Sequence, residues 1–599
     1  MPNDVKTETE LKAAAAAHRG GRTAEARAVY ERVLAREPGN PDALHLLGLL
    51  ERDAGRLEDA AGLIRRAVRA APRAADLHIN LGGVLKDLGR PDEALACLRR
   101  AAALRGDHPQ TYNNLAVVLR ACGQLTEAAE AYRRAADLLP GFTDALSSLA
   151  SVREEQGRAD LAIACRREAL AAPLGSVSED ARARVHSDLL LCLQYTQGHN
   201  GPAMLAEHRA WARRYAEPLC PKQGAAEFTN DPAPGRRLRV GLVSSDFRSH
   251  PMARFLEPVM EGRQRDAMEI YCYSDVSRPD SVTARLKHRA DVWRDAAGVG
   301  DGELASQIRR DGVDVLVDLN GHMPGHRLAV FARRAAPVQV SAIGYPGTTG
   351  LETMDFRLTD VHHDNKTDAF HTEKLLRLPD CAWCWRPDPD GPEVTGLPAA
   401  RAGRATLGCL NRLVKLTPRM AGLWARVLAA VPGSRLVALV PEGAELGPSP
   451  RGMLEAALRP AGVAPDRVVL LARRPRAAYM RLFQDIDLAL DTFPYAGQTT
   501  TCDAMWMGVP TVTQAGPTHV SRTGVSLLRQ VGLEELIADC EDDYVERAVR
   551  LAGDVERLRE IRQTLRERMR HSPLMDAGRI AVAWEQAFRS AWRAWCNGR

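Results

Sequence analysis

Two hydrophobic textures divide the chain. Through about residue 170 small and apolar positions return every 34 residues: Gly21, Gly55, Gly89, Gly123 and Gly157, then Ala26, Ala60, Ala94, Ala128 and Ala162. Gly48, Gly82, Ala116 and Ala150 keep the same period, as do Pro38, Pro72 and Pro140, with Gly106 replacing the proline once. Small residues let antiparallel helices approach, glycine permits the left-handed turn that ends a first helix, and proline punctuates the end of a second. Tyr30, Ile64, Leu98 and Tyr132 supply the large side chain opposite each gap. The pattern predicts about four and a half helix pairs, followed by a helical segment over 181–198 that has lost the register.

After a helical stretch at 207–219 and a proline-rich turn at Asp231–Gly235, short apolar runs alternate with helical ones. Strands are predicted at 238–245, 269–274, 313–319 and 338–344, and again at 406–410, 434–440, 467–472, 486–491 and 511–515. Near-continuous apolar strands separated by helices predict parallel sheets covered on both faces. A break near Pro387–Ala402 splits the two series into two Rossmann-like halves. The reading is an α-helical solenoid over 1–198, a helical linker over 199–236, and α/β halves over 237–400 and 401–599. The 34-residue period itself resembles the tetratricopeptide repeat.

Composition narrows the class. Aromatics are only 5% of the 599 residues, and the first 170 are crowded with Ala, Leu, Arg and Glu, a helix-forming mixture that excludes an all-β fold. The net charge of +5 arises from 81 basic against 76 acidic residues, too even to argue nucleic-acid binding. Twelve cysteines lack a framework spacing, no run approaches a membrane span, and the start MPNDVKTETELK lacks the basic and apolar regions of a secretory signal. A cytoplasmic protein with no membrane partner is expected. Only eight residues are lysine, so a lysine in a strand-end loop is conspicuous.

In doubly wound folds ligands sit beyond the carboxyl ends of strands. No GxGxxG or GxxxxGK[ST] follows any predicted strand, which disfavours dinucleotide oxidoreductases and P-loop NTPases. Instead the loops carry Asp246–Pro251 with His250, Asn320-Gly321-His322, Tyr345-Pro346-Gly347, Asn411-Arg412-Leu413-Val414-Lys415, and Thr492–Asp503. In the last of these Thr499, Thr500 and Thr501 fall where a helix begins, so backbone N–H groups and hydroxyls can hold a diphosphate. Asp503 can accept from a sugar hydroxyl, and Lys415 can offset charge on a leaving phosphate.

These pieces resemble the protein O-linked N-acetylglucosamine transferase family, including its SPINDLY branch: tetratricopeptide repeats fused to a two-Rossmann B-type glycosyltransferase. The resemblance spans nearly the whole chain. It rests on RVGLVSSDFRSHP (239–251), VDLNGH (317–322), RRAAPVQVSAIGYPGTTGLETMDFRLTD (333–360), NRLVKLTP (411–418), DTFPYAGQTTTCDAMWMGVPTVT (491–513) and HVSR (519–522). It implies His250 as the active-site histidine, Lys415 as the pyrophosphate-stabilising lysine, Thr499, Thr500 and Asp503 at phosphate and ribose, and Arg412 and Gln498, with Asn411 beside them, as further donor contacts. Where the family often has a histidine against uracil this chain has Tyr479, which can stack on a base. The long insertion of animal members between the halves is absent. The resemblance implies inverting transfer of N-acetylglucosamine from UDP-N-acetylglucosamine to Ser or Thr of proteins. GDP-fucose or a nonulosonic acid as donor, or a catalytically silent scaffold, are the alternatives.

His322 and the Tyr345-Pro346-Gly347 loop are candidate active-site elements, with loop bonding as the rival role for His322. Asn80 and Asn114, 34 residues apart, are candidate peptide-groove contacts, although Leu46 and Ser148 interrupt that ladder. A protein acceptor, and a homo-oligomer through the repeats, are the partners a solenoid suits. Cys381-Ala382-Trp383-Cys384 lacks a second pair at zinc spacing. Asp485-Ile486-Asp487 fits a metal-binding DxD but runs straight into an apolar strand, so no cofactor and metal independence are expected.

Overall fold

A computed structural model describes residues 2–173, 178–221, 228–440 and 450–598. The chain forms two compact units, one holding residues 2–155 and 167–173, the other 156–166, 178–440 and 450–598.

The first unit is the solenoid. Its helices pair as Pro2–Arg19 with Thr23–Arg36, Pro41–Asp53 with Leu57–Ala70, Ala75–Asp87 with Pro91–Leu104, and Pro109–Ala121 with Leu125–Leu138, ending in Thr143–Glu155. The periodic glycines do what their spacing predicts: Gly21, Gly55, Gly89 and Gly123 have φ between +72° and +80°, the left-handed turn a side chain resists. The small positions are equally literal. A Cβ on Gly48 would lie 2.6 Å from Ile64 Cγ1, and one on Gly82 2.7 Å from Leu98 Cγ. Ala26, Tyr30, Ala60, Ile64, Ala94 and Leu98 are buried accordingly.

The second unit contains two parallel sheets. The first has strands β1 (Leu238–Ser244), β2 (Met268–Ser274), β3 (Val292–Asp295), β4 (Val315–Asp318), β5 (Val338–Ser341), β6 (Phe356–Asp360) and β7 (Lys374–Leu378), in the order β3-β2-β1-β4-β5-β6-β7. The second has β8 (Thr406–Cys409), β9 (Arg435–Val440), β10 (Val468–Ala472), β11 (Leu488–Leu490), β12 (Thr511–Gln514) and β13 (Ile537–Ala538), in the order β10-β9-β8-β11-β12-β13. The strand order reverses between β1 and β4 and between β8 and β11, which places the two crevices where ligands bind in such sheets. All nine strands expected from the apolar runs are present. β3, β6, β7 and β13 are additional; charged residues interrupt the first three and β13 has two residues, so no apolar run announced them.

Two boundaries differ from the sequence reading. Helices Glu179–Leu193 and Gly201–Tyr215 belong to the second unit, because Leu190, Trp211 and Ala212 share a core with Val243, Tyr273 and Leu316 of the first sheet. They are cover helices rather than solenoid and linker; residues 222–227 of the proposed linker lie outside the described residues. The last helix, Ala577–Asn597, leaves the carboxyl-terminal half and buries Trp584, Phe588 and Trp592 with Val240, Leu242 and Val315 of the first sheet. The opposite faces of the first sheet are thus sealed by different parts of the chain.

Candidate active site

At the second switch point the organising residue is Asp491, which directly follows β11 and is 2% exposed. Its Oδ1 accepts from the N–H groups of Thr492 (2.8 Å) and Gly497 (2.7 Å) and from Asn411 Nδ2 (3.2 Å), while Oδ2 accepts from Thr513 Oγ1 (2.8 Å). One carboxylate therefore closes residues 492–497 into a tight loop and ties it to the loop after β8. Burial raises the Asp491 carboxyl above the usual range, against those hydrogen bonds and nearby Lys415. The closed loop turns the Ala496 carbonyl toward Lys415 Nζ, which donates to it at 2.9 Å and lies 4.1 Å from the centre of the Tyr495 ring. Burial pushes the Lys415 amine down to about 8, with Arg412 adding to the depression.

Helix Thr499–Trp506 begins immediately after this loop. Gln498 stands at its cap without capping it, and its Nε2 is buried with no acceptor among the described residues. Thr501 Oγ1 donates back to the Gly497 carbonyl at 3.0 Å; Thr499 and Thr500 are half-buried on the first turn. A helix amino terminus, an unpaired amide and a lysine thus adjoin one loop, groups that can hold a diphosphate. Tyr479, on helix Arg476–Leu482, is half-buried; burial pushes its phenol up against a hydrogen bond to Thr500. Exposed Arg412 completes the set.

Asp503 is 1% exposed and is not an open acceptor. Arg476 donates to both its oxygens (2.6 and 2.5 Å) and through Nε to Asp388 (2.7 Å). Arg254, from the first half, also pairs with Asp388 and brings Nη1 to 3.9 Å from Asp503. A ribose hydroxyl would share that carboxylate with Arg476. Sequence alone assigns Arg254, Arg476, Asp388 and Asp491 no role: arginines among 81 basic residues carry no signal, and Asp388 lies in no motif. Asp491, at a strand end within the longest motif, was the one that could have been found.

Across the cleft, His250 precedes helix Pro251–Gly262. Its Nδ1 lies 3.4 Å from the Met252 N–H and 3.5 Å from Asp246 Oδ2, which in turn accepts from Asn320 Nδ2 at 2.9 Å. Burial lowers the imidazole's pKa, outweighing Asp246, so the ring is neutral near pH 7 and able to take a proton. Its side chain remains 32% exposed.

The other first-half candidates divide. His322 is fully buried: Nδ1 is 3.1 Å from Ser187 Oγ and Nε2 2.8 Å from the Thr349 carbonyl. With both nitrogens engaged it fastens the cover helix to the sheet and leaves no atom for substrate, which corrects its reading as an active-site element. Tyr345 is buried with its hydroxyl 2.8 Å from His208 Nε2. Arg357 donates to the carbonyls of Tyr345 (2.8 Å) and Gly347 (2.6 Å), leaving Pro346 as the partly exposed member of the loop. His519, from the second half, contacts Arg357 Nη2 through Nε2 at 3.1 Å and Asp364 through Nδ1 at 2.7 Å, and stacks on His363 at 3.5 Å. Because Arg357 can only donate, His519 is the neutral tautomer with its proton on Nδ1; burial lowers its pKa to about 4.

In the solenoid, Asn80 Nδ2 is 2.8 Å from His45 Nε2 and donates to the Asp76 carbonyl at 3.0 Å, while Asn114 Oδ1 accepts from Gln110 at 3.0 Å. Asn80 is thus engaged by its own repeat and the one before it, and Asn114 by its own. Of the DxD, Asp487 is buried and accepts from the N–H groups of Ala399 and Thr406, each at 2.8 Å, so it serves the backbone. No group of metal-ligating side chains occurs among the described residues. Cys381 and Cys384 are buried, and burial pushes both thiols up, Cys384 to about 12. No helix of the described residues is long and apolar enough to cross a membrane.

Fold and site together define a repeat-fused protein with two Rossmann-like halves and a crevice at each switch point. The model of glycosyl transferase family 41 matches residues 218–384 and 402–583, and tetratricopeptide-repeat models match 11–75 and 73–140. The chain belongs to glycosyl transferase family 41. It is 39% identical over 415 residues to the probable UDP-N-acetylglucosamine–peptide N-acetylglucosaminyltransferase SPINDLY of Solanum lycopersicum, a match covering 68% of this chain and 44% of that protein. The corresponding SEC protein of Arabidopsis thaliana is 30% identical over 378 residues, 61% of this chain and 38% of that one. This match and the tomato one each span less than half the plant protein's length. A lysine-to-methionine mutant of the Thermobaculum terrenum O-GlcNAc transferase superposes over 100% of this chain and 99% of its own, with TM-score 0.65 and 35% identity.

Proposed function

We propose that the protein is an inverting, metal-independent transferase that moves N-acetylglucosamine from UDP-N-acetylglucosamine to Ser or Thr hydroxyls of proteins. The observation that carries the reading is Lys415 held between the Ala496 carbonyl and the Tyr495 ring beside the start of helix Thr499–Trp506. Family membership and the names of the plant and Thermobaculum relatives support the donor and the peptide acceptor. In the reaction the acceptor hydroxyl oxygen attacks the anomeric carbon as the bond from that carbon to the diphosphate breaks. The electron pair leaves with the diphosphate, where Lys415 and the N–H groups of Thr499 and Thr500 receive the charge. The hydroxyl proton passes to Nε2 of His250, in the tautomer whose Nδ1–H turns to Asp246 and gives up the weak 3.4 Å bond that Nδ1 accepts from the Met252 N–H. Tyr479 stacks on the base, Arg412, Asn411 and Gln498 line the donor, Asp503 with Arg476 meets the ribose, and the repeats present an extended acceptor.

The test is a panel of nucleotide sugars, with thermal shift and donor hydrolysis read in the presence of chelator. UDP-N-acetylglucosamine should shift and be hydrolysed, and Lys415→Ala should remove turnover while the protein stays folded. Preference for a guanine nucleotide, a metal requirement, or a Lys415→Ala activity within about tenfold of wild type, roughly 1.4 kcal/mol, would refute the corresponding part.

A further inference from the structure

Helix Glu179–Leu193 ends at Gln194 and Tyr195, two buried residues that touch opposite halves. The Tyr195 ring stacks on Tyr495 with centroids 4.9 Å apart and planes 27° from parallel. Tyr495 is the ring over which Lys415 Nζ sits at 4.1 Å. Gln194 Nε2 donates to the Tyr345 hydroxyl at 3.5 Å, and a Cβ on Gly347 would come within 3.0 Å of that nitrogen. The contacts continue on either side. A Cβ on Gly157, with φ +75°, would lie 3.3 Å from Leu413 Cγ in the Lys415 turn, and Gln197 Oε1 accepts from Arg419 at 2.9 Å.

These contacts converge on one feature. Lysine is a point charge on a flexible four-carbon stem, and it acts on a leaving diphosphate only if its ammonium is already in place. The Ala496 carbonyl and the Tyr495 ring set that place. Asp491 fixes the backbone of the loop and Thr492 Oγ1 holds the Tyr495 carbonyl at 2.7 Å, but the ring itself leans on Tyr195. We propose that Tyr195 is a positioning residue of the diphosphate site, acting through Tyr495 on Lys415, with Gln194 steadying the facing loop at Tyr345. The proposal rests on the reading above that Lys415 serves the donor diphosphate. A helix outside both Rossmann-like halves thereby becomes part of the donor site, and Tyr195 acts without touching substrate.

The test compares UDP with UMP by calorimetry on the full chain, for wild type, Tyr195→Phe, Tyr195→Leu and Tyr195→Ala. Tyr195→Leu and Tyr195→Ala should weaken UDP about 5–20-fold, the size of a lost cation–π support, while UMP changes less than about twofold; Tyr195→Phe, which keeps the stack, should match wild type for both. Melting curves verify that each variant is folded, and Tyr195→Leu, which leaves a smaller cavity than Tyr195→Ala, carries the test if Tyr195→Ala does not fold. Equal weakening of UDP and UMP, or unchanged UDP affinity in Tyr195→Leu, overturns the proposal. Wild type that prefers GDP refutes the donor reading instead, and the same contrast is then drawn between GDP and GMP. Wild type that binds no nucleotide overturns both.

Discussion

The two switch points of the second unit are built from similar strand-end loops but treat their polar groups differently. Behind the first, Arg357 is engaged by two carbonyls and His519, His322 by Ser187 and Thr349, and Tyr345 by His208. At the second, Lys415 donates to a carbonyl over a ring beside the Asp491 carboxylate, Gln498 Nε2 has no acceptor among the described residues, and two half-buried threonines stand at a helix start. An unpaired polar group out of water is costly unless something fills the vacancy. The first crevice therefore ties most of its polar groups into a wall carrying His250, although Arg357 Nε has no partner among the described residues, and the second leaves the Gln498 amide unmet at the mouth of a helix. Under the proposed function, a nucleotide diphosphate would supply the acceptor that the Gln498 amide lacks.

That contrast can be broken from either side. The largest effect is expected at Asp491. Asp491→Ala strands two N–H groups, an amide and a hydroxyl, so unfolding free energy should drop by about 3–5 kcal/mol and nucleotide binding should be lost. Asp491→Asn retains the oxygen that takes Thr492, Gly497 and Asn411, and should recover most of both; an Asp491→Ala protein with normal stability and nucleotide affinity would deny the loop its organiser. His519→Leu should separate the two crevices, lowering stability by about 1–3 kcal/mol through loss of its bonds to Arg357 and Asp364 while UDP affinity stays within a few-fold. If UDP binding fell more than stability, the wall would be part of the second crevice.

Acid and alkali probe the same difference more gently. His208 and His326 are pushed down to about 4 by burial, and His363 to about 3, so each is neutral in the fold but takes up a proton when unfolded below about pH 6.5. The unfolded state binds more protons there, so stability is fully present above about 6.5 and declines as pH falls toward 4. Lys415 behaves oppositely in its consequence for function. Its charge is present below about pH 8 and lost above it, so kcat/KM should fall on the alkaline limb and Lys415→Arg, if active, should flatten that limb. A melting temperature indifferent to acid, or a flat alkaline limb in wild type, would contradict these assignments.

The solenoid and the nine apolar strands were legible because their signals are periodic: glycines every 34 residues with positive φ, and buried β-branched runs. The candidate residues His250, Lys415, Gln498, Thr499 and Thr500 stood at strand ends, where the topology of such sheets sends ligands. What escaped was long-range. Nothing local in Trp211 or Trp584 says that one helix before and one after the halves seal the first sheet. Nor does a lone histidine in a loop reveal that His322 has both nitrogens engaged. Arg476 and Arg254 likewise acquire meaning only through Asp388 and Asp503, distant in sequence.

The measurement closest to the centre of this account is a calorimetric titration of UDP into wild type and Lys415→Ala at pH 7. The account predicts that wild type binds UDP markedly tighter than uridine and that Lys415→Ala loses about 10–100-fold for UDP, roughly 1.4–2.7 kcal/mol, with uridine unchanged. Equal affinity of the two proteins for UDP would contradict it.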